Sequence, residues 1–136
     1  MFEFFRVWLL VVCSATAVVG VAGVLLAGSP LLGRLFDRAF WSSRPDPLTR
    51  NFQAWTYSVT FAVMAGWGFC LAMVVANEFS TRQAWVWWMI AASVALWFLL
   101  DTGRSLFHRV YANAVGNFLF LLLIALPLMG TFGEFH

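Results

Sequence analysis

Four stretches of this chain, residues 7–27, 52–76, 85–100 and 112–129, contain no charged side chain. Any fold must find a solvent for them. About 20 apolar residues in a helix cross the roughly 30 Å hydrocarbon core of a bilayer. The third stretch reaches that length when Asp101 and the turn after it continue the same helix. Lipid offers nothing to a backbone N–H or C=O, so a spanning segment is either a helix or a strand of a closed barrel. The period-two alternation of a barrel strand is absent. The expected fold is therefore an all-α membrane protein. Four transmembrane helices, at about 7–27, 52–76, 85–105 and 111–130, form an antiparallel bundle and a single integral membrane domain over residues 1–136.

Composition supports lipid as the solvent. The 136 residues are 62% hydrophobic and only 10% charged, against roughly a quarter charged in a soluble domain. A net charge of +2 is too small to point to nucleic acid. Near the N-terminus, Arg6, the apolar run and the small residues at 27–29 resemble a signal peptide. The run exceeds the usual 7–15 residues of a signal core, so an uncleaved spanning helix is expected.

The basic residues are all arginine, and their distribution is uneven. Arg34, Arg38, Arg44, Arg50, Arg104 and Arg109 fall in the first and third connections. Arg6 and Arg82 alone occupy the other side. Cytoplasmic loops carry the excess of Lys and Arg. This predicts an integral membrane protein with the first and third connections cytoplasmic and both termini on the outer side of the membrane. Trp85, Trp87 and Trp88 would then join the outer aromatic belt.

The connection 28–51 has structure of its own. Ser29-Pro30 reads as an N-cap followed by proline at the first helical position. Leu31, Leu32, Leu35, Phe36, Ala39 and Phe40 follow at helical spacing, with Gly33, Arg34, Asp37 and Arg38 opposite. A short interfacial amphipathic helix at about 30–41 is expected between the first and second spans. It is either a linker or a lid, and it ends at SSRPDPL, where two prolines lead into the second span. The remaining connections are short, which makes successive helices antiparallel neighbours. Small residues mark packing seams: Gly20, Gly23, Ala27 and Gly28 on the first helix, Ala62 with Gly66 and Gly68 with Ala72 and Ala76 on the second. They serve either packing within the chain or a homodimer.

Cofactor chemistry has little to work with. Cys13 and Cys70 form no CxxC motif, so they read as small apolar residues rather than a thiol redox pair. His108 and His136 cannot supply a bis-histidine haem site in one chain, nor a zinc site. No cofactor and no metal are expected. The first helix lacks the acidic residue of small multidrug exporters, and no internal repeat supports a transporter.

Polar residues gather in one place. At 100° per residue, with Asp101 at zero, Trp97 falls at about −40°, Arg104 at about −60°, Ser105 at about 40° and His108 at about −20°. Asn113 and Asn117 share a face of the fourth helix. On the second helix Gln53, Thr56, Tyr57 and Thr60 share an arc. All three arcs lie at the Arg-rich end. They predict a polar recess with Gln53, Tyr57, Trp97, Asp101, Arg104, Ser105, His108, Asn113 and Asn117 as candidate ligand-binding residues. A purely structural role accounts for the same residues: Asp101 pairs with Arg104, the asparagines bond across helices, and Arg104, His108 and Arg109 meet lipid headgroups.

The segments AGWG (65–68), WVWW (85–88), WFLLDTGRSLFHRVYANAVGN (97–117) and ALPL (125–128) resemble a family of small four-helix bacterial inner-membrane proteins of unknown function. The resemblance covers roughly residues 50–130 and implies a topology, not an activity. The leading expectation is a non-enzymatic membrane protein whose recess is structural or binds a lipid headgroup or small amphiphile, with membrane lipids as partners. The alternatives are an accessory subunit of a larger membrane complex, or an enzyme acting on a lipid-like substrate through Asp101 and His108. No catalytic residue is otherwise assigned.

Overall fold

The structure, a computed structural model, describes residues 1–32 and 46–135. Its long helices are α1 (Phe2–Leu26), α2 (Pro47–Asn77), α3 (Ala84–Phe107) and α4 (Tyr111–Thr131), with 3₁₀ turns at Phe79–Thr81 and Phe132–Glu134. No strand occurs among the described residues. All four helices are long and apolar enough to cross a membrane, so the all-α membrane fold class read from the sequence holds. In the most apolar part of each, only 17% to 28% of the residues are buried. Exposed apolar side chains such as Val18, Leu25, Val63, Leu96, Leu99 and Leu119 therefore cover the outside, as lipid solvation requires. Residues 30–32 begin a helix; the rest of the expected interfacial helix lies outside the described residues.

The helices start earlier than their apolar runs. α2 begins at Pro47, five residues before Phe52. Asp46 caps it: Oδ1 accepts from the Leu48 and Thr49 N–H groups at 2.9 and 3.1 Å, and Oδ2 from the Thr49 hydroxyl at 2.6 Å. Pro47 follows at the first helical position, where its missing N–H costs nothing. The second proline of SSRPDPL thus starts the helix it was expected only to precede. At 1.5 Å per residue, the 31 residues of α2 span about 46 Å, more than the hydrocarbon core, so its polar first turns extend beyond it.

The chain forms two compact units, Ser14–Phe69 and Met1–Cys13 with Cys70–His136. In the first, α1 and α2 meet through glycine. A methyl group on Gly20 would lie 2.5 and 2.6 Å from the backbone N and Cα of Ala65, and one on Gly23 would meet the Phe61 ring. Backbone thus approaches backbone as in other small-residue membrane seams. The seam on α2 is Ala65 and Phe61, not Ala62 and Gly66; Gly66 faces open space. The hydroxyls of Thr56, Ser58 and Thr60 each donate to the carbonyl four residues back, at 2.8 to 2.9 Å. Such bonds satisfy a hydroxyl inside an apolar helix without a partner helix.

The second unit holds the best-buried side chains: Leu9, Val75, Phe79, Val86, Ile90, Ile124 and Thr131 are each 0% exposed. α3 and α4 form an antiparallel hairpin. Midway along it Trp97 and Phe120 meet edge to face, 5.2 Å between centroids, and nearer its open end Trp87 Nε1 donates to the Leu128 carbonyl at 2.8 Å. That carbonyl lacks its usual helical partner because the Phe132 N–H turns to Met129 as the helix tightens, and it also accepts from the Thr131 hydroxyl at 3.0 Å. Phe79 stacks on Phe2 at 5.6 Å and tilts against Phe135 at 4.8 Å. Arg82 lies over the Phe2 ring and ion-pairs with Glu134 at 2.7 Å. Cys13 is buried, Cys70 exposed, and both thiols are free.

Candidate functional site

The turn between α3 and α4 collects the polar residues of the second unit. α3 runs through Asp101 and Gly103 without a break and ends at Phe107. The ending is a Schellman motif: the Val110 N–H reaches the Ser105 carbonyl at 2.8 Å and the Arg109 N–H the Leu106 carbonyl at 3.0 Å. Such a motif wants a left-handed residue at its bend, usually glycine. Here it is Arg109, at φ 60°. A β-carbon in that region costs roughly 1–2 kcal/mol.

The turn places residues equidistant from Arg109 opposite each other, and three of the sequence-selected residues meet there. Asn113 Nδ2 donates to Asp101 Oδ1 at 3.0 Å and to Ser105 Oγ at 2.8 Å. Ser105 Oγ donates to the Asp101 carbonyl at 2.8 Å, with Asp101 Oδ1 at 3.3 Å. Both hydrogens of the Asn113 amide and the one hydrogen of the serine are used. One turn deeper, the buried Asn117 donates Nδ2 to Thr102 Oγ1 at 3.2 Å. Thr102 was not among the residues read from the sequence. Symmetry about Arg109 points Asn117, eight residues after it, at Asp101, eight before; the bond goes instead to the next residue, Thr102.

Two expected pairings do not form. Among the described residues the ion pairs are Glu3–Arg6 and Arg82–Glu134, so Asp101 is not paired with Arg104. Nor do Asp101 and His108 share a hydrogen bond, although the helical wheel puts them 20° apart. Seven residues of helix separate them by about 10 Å along the axis, and His108, the C-cap of α3, lies two turns beyond the carboxylate. Instead Arg104 Nη2 lies 2.9 Å from His108 Nε2, and the Arg104 guanidinium sits over the Phe107 ring at 5.3 Å. Arg104, Phe107, His108 and Arg109 are all exposed. Arginine has only donors, so in this contact Nε2 accepts, as it does in the tautomer that carries its hydrogen on Nδ1.

This arrangement is a poor catalytic machine. The serine bonds to an aspartate and an asparagine, with no imidazole against its oxygen to take its proton. Among the described residues no three His, Cys, Asp or Glu side chains gather as a metal site. Trp97 is half-buried on α3. Gln53 and Tyr57, half-buried on α2, belong to the first unit. A groove of about 130 Å³ in the second unit lies away from the turn, lined by Trp87, Ala91, Val94, Leu121, Ile124 and Met129 among others; its walls are apolar.

No protein-family description, curated protein or solved structure matches the chain.

Proposed function

We propose that the chain is a non-enzymatic integral membrane protein of a bacterial inner membrane, kin to the small four-helix proteins its motifs resemble. Its α3–α4 turn engages lipid headgroups. The observation that carries this reading is a division of labour at the turn. Asp101, Ser105, Asn113 and Asn117 bond to one another and to Thr102 and so join two helices, and Arg104, His108 and Arg109 stay exposed beside the likewise exposed Phe107 and Tyr111. Cations and aromatic rings at the end of two apolar helices suit the membrane–water boundary. The excess of arginine in the first and third connections supports a cytoplasmic location for this end, with both termini periplasmic.

Photocrosslinking tests the reading. Full-length protein in bilayer discs is irradiated with phospholipids that carry a diazirine on the headgroup. The label is expected within residues 97–117. Label confined to other segments would overturn the reading.

A further inference from the structure

Resting on that reading, we infer that the exposed groups of the α3–α4 turn form a site for an anionic phosphate group, so that the turn selects phosphate-bearing anionic lipids over zwitterionic ones. The argument is an inventory of donors and acceptors. Arg104 spends one N–H on His108 Nε2 and keeps the rest. His108, an acceptor at Nε2, presents a donor at Nδ1. Arg109 brings a second guanidinium, held two residues past the helix end by its left-handed backbone. The polar atoms these three side chains leave over are thus donors, and two of the three carry positive charge.

The nearest acceptor is withdrawn. The Asp101 carboxylate, the one anionic side chain between residues 79 and 133, faces Asn113 and Ser105 rather than the arginines. A ligand that brings an ammonium group finds no carboxylate among the cations. A phosphate brings several acceptor oxygens and no obligatory donor, and guanidinium groups bind it with charge-assisted hydrogen bonds. Arg82 supplies the internal contrast. It has the same left-handed backbone, φ 55°, but its charge is already matched by Glu134 at 2.7 Å.

The test compares lipid retention by native mass spectrometry. The full-length protein is released from discs that contain equal amounts of phosphatidylcholine and phosphatidylglycerol. Preferential retention of phosphatidylglycerol is expected. Arg104→Gln and Arg109→Gly should each weaken the preference about fivefold, the effect of one arginine near an anionic surface. Arg109→Gly removes the charge while relieving the backbone, so its loss of preference does not reflect unfolding. Arg82→Gly should leave the preference unchanged. Equal retention of the two lipids, or equal loss in Arg82→Gly, overturns the inference; the headgroup reading then survives if both lipids still label residues 97–117. Inorganic phosphate is added in a parallel arm. Release of phosphatidylglycerol by millimolar phosphate would mean that a free phosphate is the ligand, and overturn the lipid assignment; retention in its presence supports it.

Discussion

The second unit has two ends, each closed by an arginine in the left-handed region, and the two ends are built differently. Around Arg82 the chain packs rings: Phe2, Phe79 and Phe135 meet within about 6 Å of one another, and the guanidinium is placed between a ring and the Glu134 carboxylate. Around Arg109 the helices are joined by small polar side chains, and the cations are left outside. The aromatic end matches its charge locally; the polar end keeps its acid and its bases apart. A helix turn that exists only to hold a rim together would gain by pairing Asp101 with Arg104, three residues apart. That it does not is the reason to look for a ligand there.

The comparison predicts unequal mechanical importance. Phe79→Ala removes a side chain that is 0% exposed between two other rings. It should cost about 3–5 kcal/mol, the usual range for a buried Phe→Ala, read as a lower denaturing fraction of dodecyl sulfate in mixed micelles. Asn113→Ala removes two hydrogen bonds between helices. Bonds of this kind are worth about 0.6 kcal/mol each and at most about 1.7 in membranes, so a loss of about 1–3 kcal/mol is expected. A larger loss for Asn113→Ala than for Phe79→Ala would reverse the account, with the polar end as the structural anchor.

Much of the polar end was legible in the sequence, and the reason is local. Asp101 and Ser105 are one helical turn apart, as are Asn113 and Asn117, and a short turn between two helices brings such faces together. The side chains' choice of partner was not legible. Asp101 can reach Arg104 by spacing, but Asn113 across the turn brings two donors, one for Asp101 Oδ1 and one for Ser105 Oγ. His108 shares an angle on the wheel with Asp101 but lies two turns away along the axis, a separation that wheel arithmetic does not show. The start of α2 was missed for a related reason: hydropathy locates lipid, whereas Asp46-Pro47 locates a helix end, and the two differ by a turn and a half. The seam partners Ala65 and Phe61 depend on which way two helices face, which spacing alone leaves open.

The two left-handed arginines allow a sharper comparison on a smaller scale. Arg109→Gly removes the strain of a β-carbon at φ 60° and breaks no side-chain hydrogen bond or ion pair among the described residues. It should raise stability by about 1 kcal/mol. Arg82→Gly gains the same relief at φ 55°. It gives up an ion pair that is half exposed, worth about 0–1 kcal/mol, and a ring contact worth about 0.5–1 kcal/mol. Its net effect should lie near zero or below. Thermal unfolding of the two variants side by side decides the matter. Equal stabilisation would mean that the Arg82 contacts contribute nothing, and the contrast between the two ends would rest on the rings alone.

The smallest effect concerns a helix end of a third kind, held by charge in water rather than by rings or by a polar seam. Asp46 is fully exposed, and its bonds to the Thr49 hydroxyl and the Thr49 and Leu48 N–H groups hold its carboxyl below the usual carboxylate range. Because the folded value is the lower one, the cap stabilises α2 fully above the ordinary aspartate value of about 3.9. That contribution is lost as pH falls through the lowered value, when the carboxylate takes up a proton and stops accepting. Protection of the Leu48 and Thr49 amides against hydrogen exchange should therefore fall in strong acid. Asp46→Asn keeps an accepting oxygen at the cap but cannot titrate, so its protection should be nearly independent of pH over the same interval. If Asp46→Asn follows the acid profile of the unaltered chain, the first turn of α2 is lost in acid for some other reason, and the start of the helix owes its stability to Pro47 and the turns that follow.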